Sequence, residues 1–306
     1  MKKAFENFIE KSAEKYRVEA FKGERMLSSW LTEDAQKEYM KELSGRSNFL
    51  REINWLTVAE PSGKTLFGAL DGTTTGRQKD ERHRSRLIHR DQYQTQEADS
   101  GVFIPWQLID ELTSLQENFE ENYTALTESQ FVLDMLQIGW NGESVAQNTQ
   151  ASDLSDVNIG WQAQLKQKKP EHIITQGKKA GRISLFAENA DYKNLNELAA
   201  KEDAIYANTT ENQRPGDTVA NSHYLANYYG GMPAVIPPCF PPKGAVVTTF
   251  RNLSIYTQRG SVYRAIYDDE NKVGVINSFR RNDAYVVEKV DLMTAIEPKN
   301  VVFSEK

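Results

Sequence analysis

The most regular hydrophobic pattern in the chain runs from Pro105 to Ile138. Ile109, Leu112, Leu115, Phe119, Tyr123, Leu126, Leu133 and Leu136 recur mostly at three- and four-residue steps. Glu111, Glu117, Glu120, Glu121 and Glu128 fill much of the remainder. That period predicts one amphipathic helix over 105–138, buried along a stripe that includes Leu115 and Leu126. Pro105 suits a first helical position, where its missing N–H is no loss. Gly139, the start of "GWNG", is the expected stop. At 1.5 Å per residue the helix spans about 50 Å. No sustained heptad marks it as a coiled coil.

Two shorter helical patterns precede it. Residues 2–16 place Phe5, Phe8, Ile9, Ala13 and Tyr16 on one face. A second pattern covers roughly 33–53 and carries Tyr39, Leu43, Leu50 and Ile53. Thr32 is its expected cap, followed by acidic Glu33 and Asp34. Together they read as an arm. From about residue 234 the period changes to β: "AVI", "AVVTTF", "LSIYT", "SVYRAIY", "VGVINSF" and "AYVVEKV" are short segments rich in Val, Ile, Tyr and Phe, separated by turn residues. Pro233, Pro237, Pro238, Pro241 and Pro242 are half of the 10 prolines and fall in "MPAVIPPCFPP". Proline cannot donate to a sheet ladder, so this stretch reads as a stiff connector.

Against these patterns, Gly63 to Gln94 stands out: "GKTLFGALDGTTTGRQKDERHRSRLIHRDQYQ" holds almost nothing that could fill a core. The rest of the chain can. With 306 residues and 39% hydrophobic positions it has material for one or two domains with a real interior. A net charge of -6 argues against a dedicated DNA-binding protein, which carries a basic face. A single cysteine, Cys239, excludes an internal disulfide, and His83, His89, His172 and His223 have no metal-site spacing. No apolar run reaches the length of a membrane span, so no membrane partner is expected. The N-terminus "MKKAFENFIEKSAEKY" has no apolar signal region, and a reducing cytosol is the expected setting.

Candidate motifs mostly dissolve on inspection. "PSGKTLFG" ends like a phosphate-binding loop, but the position of the first required glycine is Val58 and Glu60 would repel phosphate. A turn between strands is the expectation there. "RQKDERHRSRLIHR" sets Arg77, Lys79, Arg82, Arg84, Arg86 and Arg90 against Asp80 and Glu81. Such a run can contact nucleic acid through phosphates. No aromatic residue is interleaved for base stacking, which favours a solvated or subunit-facing surface. "YDDENKVG" (267–274) lacks the alternating ligands and distal Glu of a calcium loop and reads as a turn. No GxSxG elbow occurs. His223 and Cys239 read as structural. With no catalytic, cofactor-binding or metal-binding constellation, the expected role is structural and not enzymatic.

Several blocks, in order along nearly the whole chain, carry a family resemblance. They are "SNFLREIN" (47–54), "GWNG" (139–142), "DVNIGWQAQLKQKKPEHI" (156–173), "GGMPAVIPPCFPPKGAVVTTFRNLSIY" (230–256) and "DAYVVEKVD" (283–291). The chain resembles the major capsid proteins of the P-two-like, or peduovirus-type, tailed bacteriophages, which have the HK97-like fold. Between "DYKNLNELA" (191–199) and "GGMPAV" (230–235) it is shorter than the family pattern, a departure that bears on the axial domain.

The resemblance implies an α+β fold. Residues 1–56 would form an N-terminal arm, the first 25 or so a candidate for cleavage. Residues 57–104 would form the extended loop, a long hairpin reaching over a neighbouring subunit. Residues 105–175 and 261–290 would form a peripheral domain on the spine helix 105–138. Residues 176–260 and 291–306 would form an axial domain. The loop then explains the poor self-burial of 63–94, because its partner surface belongs to another molecule. Its basic run would meet acidic residues of neighbours, for example the glutamates of the long helix. The implied function is self-assembly through hexamers and pentamers into an icosahedral shell around double-stranded DNA, bound non-specifically. Implied partners are an internal scaffold, a maturation protease, a portal and a terminase, with assembly in the host cytoplasm. A cellular nanocompartment shell of the same fold, or a nucleic-acid-binding protein using 77–90, are the alternative readings.

Overall fold

The structure is a computed structural model describing residues 26–67, 69–71, 75, 86–88, 91–115, 119–186, 189–199, 227–229, 232–269 and 271–303. The amphipathic pattern of 2–16 and His223 lie outside these residues. Among the described residues the first element is β1 (Met26–Trp30), followed by helix α1 (Glu33–Ser44). Thr32 caps that helix as its sequence predicts, its hydroxyl accepting from the Ala35 N–H. The expected helix over 33–53 is two helices. Gly45 ends α1, and Ser47 caps a new one, α2 (Asn48–Glu52), by accepting from the Leu50 N–H. Tyr39, Leu43, Leu50 and Ile53 are all buried.

β2 (Asn54–Val58) leads into the loop region. There β3 (Ser62–Lys64), β4 (Ala69–Asp71), β5 (Arg86–Ile88) and β6 (Gln92–Gln94) form two antiparallel pairs, β3 with β6 and β4 with β5. β7 (Gln96–Pro105) returns the chain to the body. Pro105 ends that strand opposite Gly274 and does not open the helix. The long helical pattern is described as α3 (Trp106–Leu115) and α4 (Phe119–Asn141). α4 runs past Gly139, so the expected stop lies inside the helix. Gly160 stands at the N-cap of α5 (Trp161–Lys168), and His172 follows that helix, buried, its Nδ1 3.0 Å from the Met293 carbonyl oxygen.

The C-terminal half is β-rich, as its pattern predicts. Its strands are β8 (Ile173–Ile174), β9 (Ile183–Leu185), β10 (Asn227–Tyr229), β11 (Met232–Ala234), β12 (Val246–Val247), β13 (Leu253–Gln258), β14 (Tyr263–Asp269), β15 (Gly274–Val287), β16 (Thr294–Ile296) and β17 (Val301–Phe303). The principal sheet has the order β1-β14-β15-β13-β2, with β7 also paired to β15. "YDDENKVG" is the turn from β14 to β15, as expected. β13 lies inside the range assigned to the axial domain, yet it sits between β15 and β2 in this sheet. Every residue of β13 except Gln258 is buried, so the "NLSIY" block is core.

β15 replaces two expected strands. The sequence separates "VGVINSF" from "AYVVEKV" by Arg280, Arg281, Asn282 and Asp283, which read as a polar break. The strand continues because Arg281 and Asp283 neutralise each other inside, both only 1% exposed. Arg281 Nε donates to Asp283 Oδ2 at 2.6 Å. Thr257 Oγ1 donates to Asp283 Oδ1 at 2.6 Å, and Arg281 Nη1 donates to Ser100 Oγ at 3.0 Å. A buried ion pair persists only when its remaining bonding capacity is met in this way. Asp283 is the crossing point of the sheet, opposite Gln96 on β7 and Thr257 on β13.

The main core joins α1, α2, α4 and α5 to this sheet. A smaller core of Ile174, Ile183, Leu185, Leu198, Ile296 and Val301 lies under the parallel pairs β8–β16 and β9–β17.

Candidate assembly interface

The neck of the loop is built by a short ladder. Gly63 on β3 faces Tyr93 on β6, and a Cβ there would lie 3.2 Å from the tyrosine ring, so glycine lets the ring lie across the strand. The Thr65 N–H donates to the Asp91 carbonyl at 3.1 Å, and the Thr95 N–H donates to the Pro61 carbonyl at 2.7 Å. "PSGKT" is thus a strand leg and not the expected turn. Tyr93 packs edge-on against Tyr256 at 5.1 Å, in a small core with Val58, Ala284 and Val286. Burial, then the charge of Glu60, pushes the Tyr93 hydroxyl up from its ordinary value. Lys168 on α5 pairs with Asp91 at 3.0 Å, tying the second leg to the body. Beyond the neck, β4 and β5 continue the two legs, with Asp71 opposite Arg86.

Of the six basic residues singled out by sequence, only Arg86 has a described backbone position, in β5. Arg77, Lys79, Arg82, Arg84 and Arg90 lie outside the described residues, as do His83 and His89. One of the helix glutamates expected to face a neighbour is engaged within the subunit. Glu128 is buried and accepts from Arg46 Nη2 at 2.7 Å, joining α4 to the turn between α1 and α2. Sequence reasoning missed this pair, because 82 residues separate its members.

Among the described residues, no group of three His, Cys, Asp or Glu side chains could hold a metal ion, and no helix is long and apolar enough to cross a membrane. Cys239 sits at φ 59°, its thiol directed at the Leu133 carbonyl at 3.6 Å. Burial, then the nearby Asp134, pushes that thiol up, away from the nucleophilic thiolate.

Comparison with known proteins identifies the fold's family. The model of the family described as "Phage major capsid protein, P2 family" matches residues 4–212 and 197–298. The chain belongs to this family. The capsid subunit is 27% identical to the major capsid protein of Serratia phage KSP20 over 307 residues, covering 83% of this chain and 85% of the relative. It is 24% identical to the capsid proteins of Escherichia phage P2 over 297 residues, covering 81% of each. Among solved structures, a chain of the satellite phage P4 procapsid that includes the size determination (Sid) protein superposes with a TM-score of 0.69 at 21% identity. That match covers 88% of this chain and 92% of the other. The fold is therefore the HK97-like capsid fold, and the subunit is a component of the virion capsid.

On the capsid subunit, α4 presents two apolar stripes. Phe131, Val132, Met135 and Leu136 are fully buried, whereas Leu126 is 70% exposed and Leu133, seven residues on, 37%. The expected burial of Leu126 is thereby corrected within the single subunit, and the side chain of Leu115 lies outside the described residues. The proline-rich connector runs past the end of this helix: Asn141 Nδ2 donates to the Cys239 carbonyl at 3.1 Å, and Ile236 is 87% exposed.

Proposed function

We propose that this major capsid protein assembles through hexamers and pentamers into an icosahedral shell around double-stranded DNA, with the loop of 57–104 reaching over a neighbouring subunit. The observation that carries the reading is the pair of antiparallel ladders, Ser62–Lys64 with Gln92–Gln94 and Ala69–Asp71 with Arg86–Ile88. They make the core-poor stretch a two-legged hairpin rooted at a packed neck. An isolated hairpin is marginal in water, which favours a partner surface on another molecule. The basic run Arg77–Arg90 would meet acidic side chains there, and many weak contacts per subunit add up in a closed shell.

Residues 105–175 and 261–290 are the proposed peripheral domain, together with β13 from the large sheet. Residues 176–260 and 291–306, apart from β13, are the proposed axial domain, which holds all of the smaller core except Ile174. Scaffold, maturation protease, portal and terminase are its proposed partners, and no enzymatic role is assigned. Residues 1–25 are proposed to be removed during maturation, and intact mass of protein from mature virions checks this: a full-length mass from Met1 or Lys2 to Lys306 would refute it. Electron microscopy of overexpressed protein, with and without scaffold, tests the main reading. Deleting residues 72–90 is expected to leave a folded, soluble subunit and abolish shells. Aggregation with loss of secondary structure by circular dichroism would instead place the loop in the fold's own core.

A further inference from the structure

Just above the neck, the first leg leaves the body through Leu66 and Phe67, whose side chains are about half exposed. Their backbone N–H groups are taken by side chains from β13 and from the residue that follows β15. The Leu66 N–H donates to the Tyr256 hydroxyl at 2.9 Å, and the Phe67 N–H donates to Glu288 Oε2 at 3.4 Å. Tyr256 in turn donates to Glu288 Oε1 at 2.7 Å, and the Ser254 hydroxyl donates to the same oxygen. Behind Ser254 stands Asn54, whose Nδ2 donates to the Ser254 hydroxyl at 3.0 Å and whose Oδ1 accepts from Arg251 at 3.3 Å. The Phe67 N–H and the Tyr256 and Ser254 hydroxyls thus converge on one carboxyl group, while Asn54 also donates to the Arg251 carbonyl at 2.8 Å. On the second leg, Asp91 is held by Lys168, 3.0 Å away. Both legs are thus tied to the body by polar side chains of β13, of the turn after β15 and of α5, none of which belongs to the loop.

We infer that Glu288 and Tyr256, with Lys168 on the opposite leg, are positioning residues that fix the direction in which the loop leaves the subunit. The reasoning is geometric. A hairpin rooted by a three-residue ladder can swing about its neck, and a swing of a few degrees becomes a displacement of several ångströms at the tip of a long lever. Aromatic packing of Tyr93 on Tyr256 fixes the position of the neck but permits sliding. Directional hydrogen bonds to Leu66 and Phe67 fix its angle. Glu288 is 5% exposed, so it has little access to water as a substitute partner. The inference rests on the reading that the loop serves a neighbour.

The clasp is also sensitive to protons. Burial raises the Glu288 carboxyl above its ordinary 4.5, and the negative Asp91 raises it further. The bonds from Ser254, Tyr256 and Phe67 oppose this without cancelling it. The Tyr256 hydroxyl is itself pushed up, first by burial and then by Glu288, with Tyr93 adding to it, so it remains a donor throughout. When the neck opens, Glu288 meets water and returns to its ordinary value. The closed clasp therefore binds a proton more tightly than the open one. It holds most firmly at pH below the ordinary carboxylate value and loosens as pH rises from there through the raised value.

Amide hydrogen exchange of the full-length protein tests the clasp directly. Tyr256→Phe keeps the ring against Tyr93 and removes the hydroxyl. It is expected to speed exchange at Leu66 about fivefold or more, while amides in the α4 core near Leu136 keep their protection. Glu288→Ala is expected to do the same at both Leu66 and Phe67. Glu288→Gln can put its amide oxygen where Oε1 accepts from Tyr256, but its NH2 cannot accept from Phe67, so it should retain protection at Leu66, lose it at Phe67 and abolish the pH dependence, after correction for intrinsic exchange rates. Unchanged exchange at both amides in Tyr256→Phe and Glu288→Ala would overturn the inference. Shell formation is read separately by microscopy. A loosened neck in subunits that still close into normal shells would show that the angle of departure does not matter to assembly, and would overturn the positioning role without touching the family assignment.

Discussion

Gly139 lies so close to Trp161 that a Cβ at position 139 would sit 2.6 Å from the indole Cζ3. Trp161 is completely buried, donates from Nε1 to the Ser254 carbonyl at 3.1 Å and meets Trp140 and Tyr285 edge-on. It is hemmed in on several sides and has nowhere to retreat. Gly142 and Gly160 continue the contact, each with its Cβ position against backbone atoms of the other segment. The "GWNG" and "NIGW" blocks are therefore the two halves of one helix-to-helix seam.

At an exposed helical site, Gly→Ala stabilises by up to about 1 kcal/mol. At position 139 the sign should reverse. Gly139→Ala is expected to destabilise by about 1–3 kcal/mol, the range for overpacking a filled core. Chemical denaturation decides the matter, and a variant as stable as the parent, or more so, would mean that the indole can move aside.

The two stripes of α4 give a paired prediction. Leu136→Ala, at a fully buried position, is expected to cost about 2–5 kcal/mol. Leu126→Ala, 70% exposed, is expected to change subunit stability by less than about half a kcal/mol. Equal losses at both positions, measured on the unassembled subunit, would contradict the orientation of the helix.

Asp191 predicts a pH effect in the smaller core. Its carboxylate accepts from the Lys178 N–H at 2.6 Å and from the Ser184 N–H and hydroxyl, each at 2.7 Å. Burial pushes this carboxyl up, but those bonds and the Lys178 charge outweigh it and hold it below its ordinary 3.8. A depressed value means that the contribution is present above the ordinary carboxylate range and is lost as pH falls through the depressed value. Exchange protection at Ser184 should therefore collapse in strong acid. In Asp191→Asn it should be weaker at neutral pH and flat across the acid range; an acid transition surviving in that variant would assign it to another group.

The sequence by itself determined what depends on near neighbours. Thr32 followed by two acids is a local cap, and it caps. The three- and four-residue spacing of apolar positions after 105 is a local period, and helices formed on it. Most of the valine- and tyrosine-rich segments after 234 became strands, although Val235 and Ile236 of "AVI" did not, and the ordered blocks from "SNFLREIN" to "DAYVVEKVD" named the family without any coordinates. Tertiary structure alone decided whatever depends on a distant partner. A helical period shows that an apolar stripe exists but not which of two stripes meets the sheet, so it predicts Leu126 buried where the fold leaves it outside. Gly139 reads as a stop until Trp161, folded against it, requires a residue without a side chain. Glu128 reads as a surface charge until Arg46 reaches it. Arg281 and Asp283 look like a break in a strand until burial makes each the other's counterion. Leu66 and Phe67 carry no signal for Tyr256 and Glu288, because a backbone N–H is the same in every sequence and only the fold brings an acceptor to it.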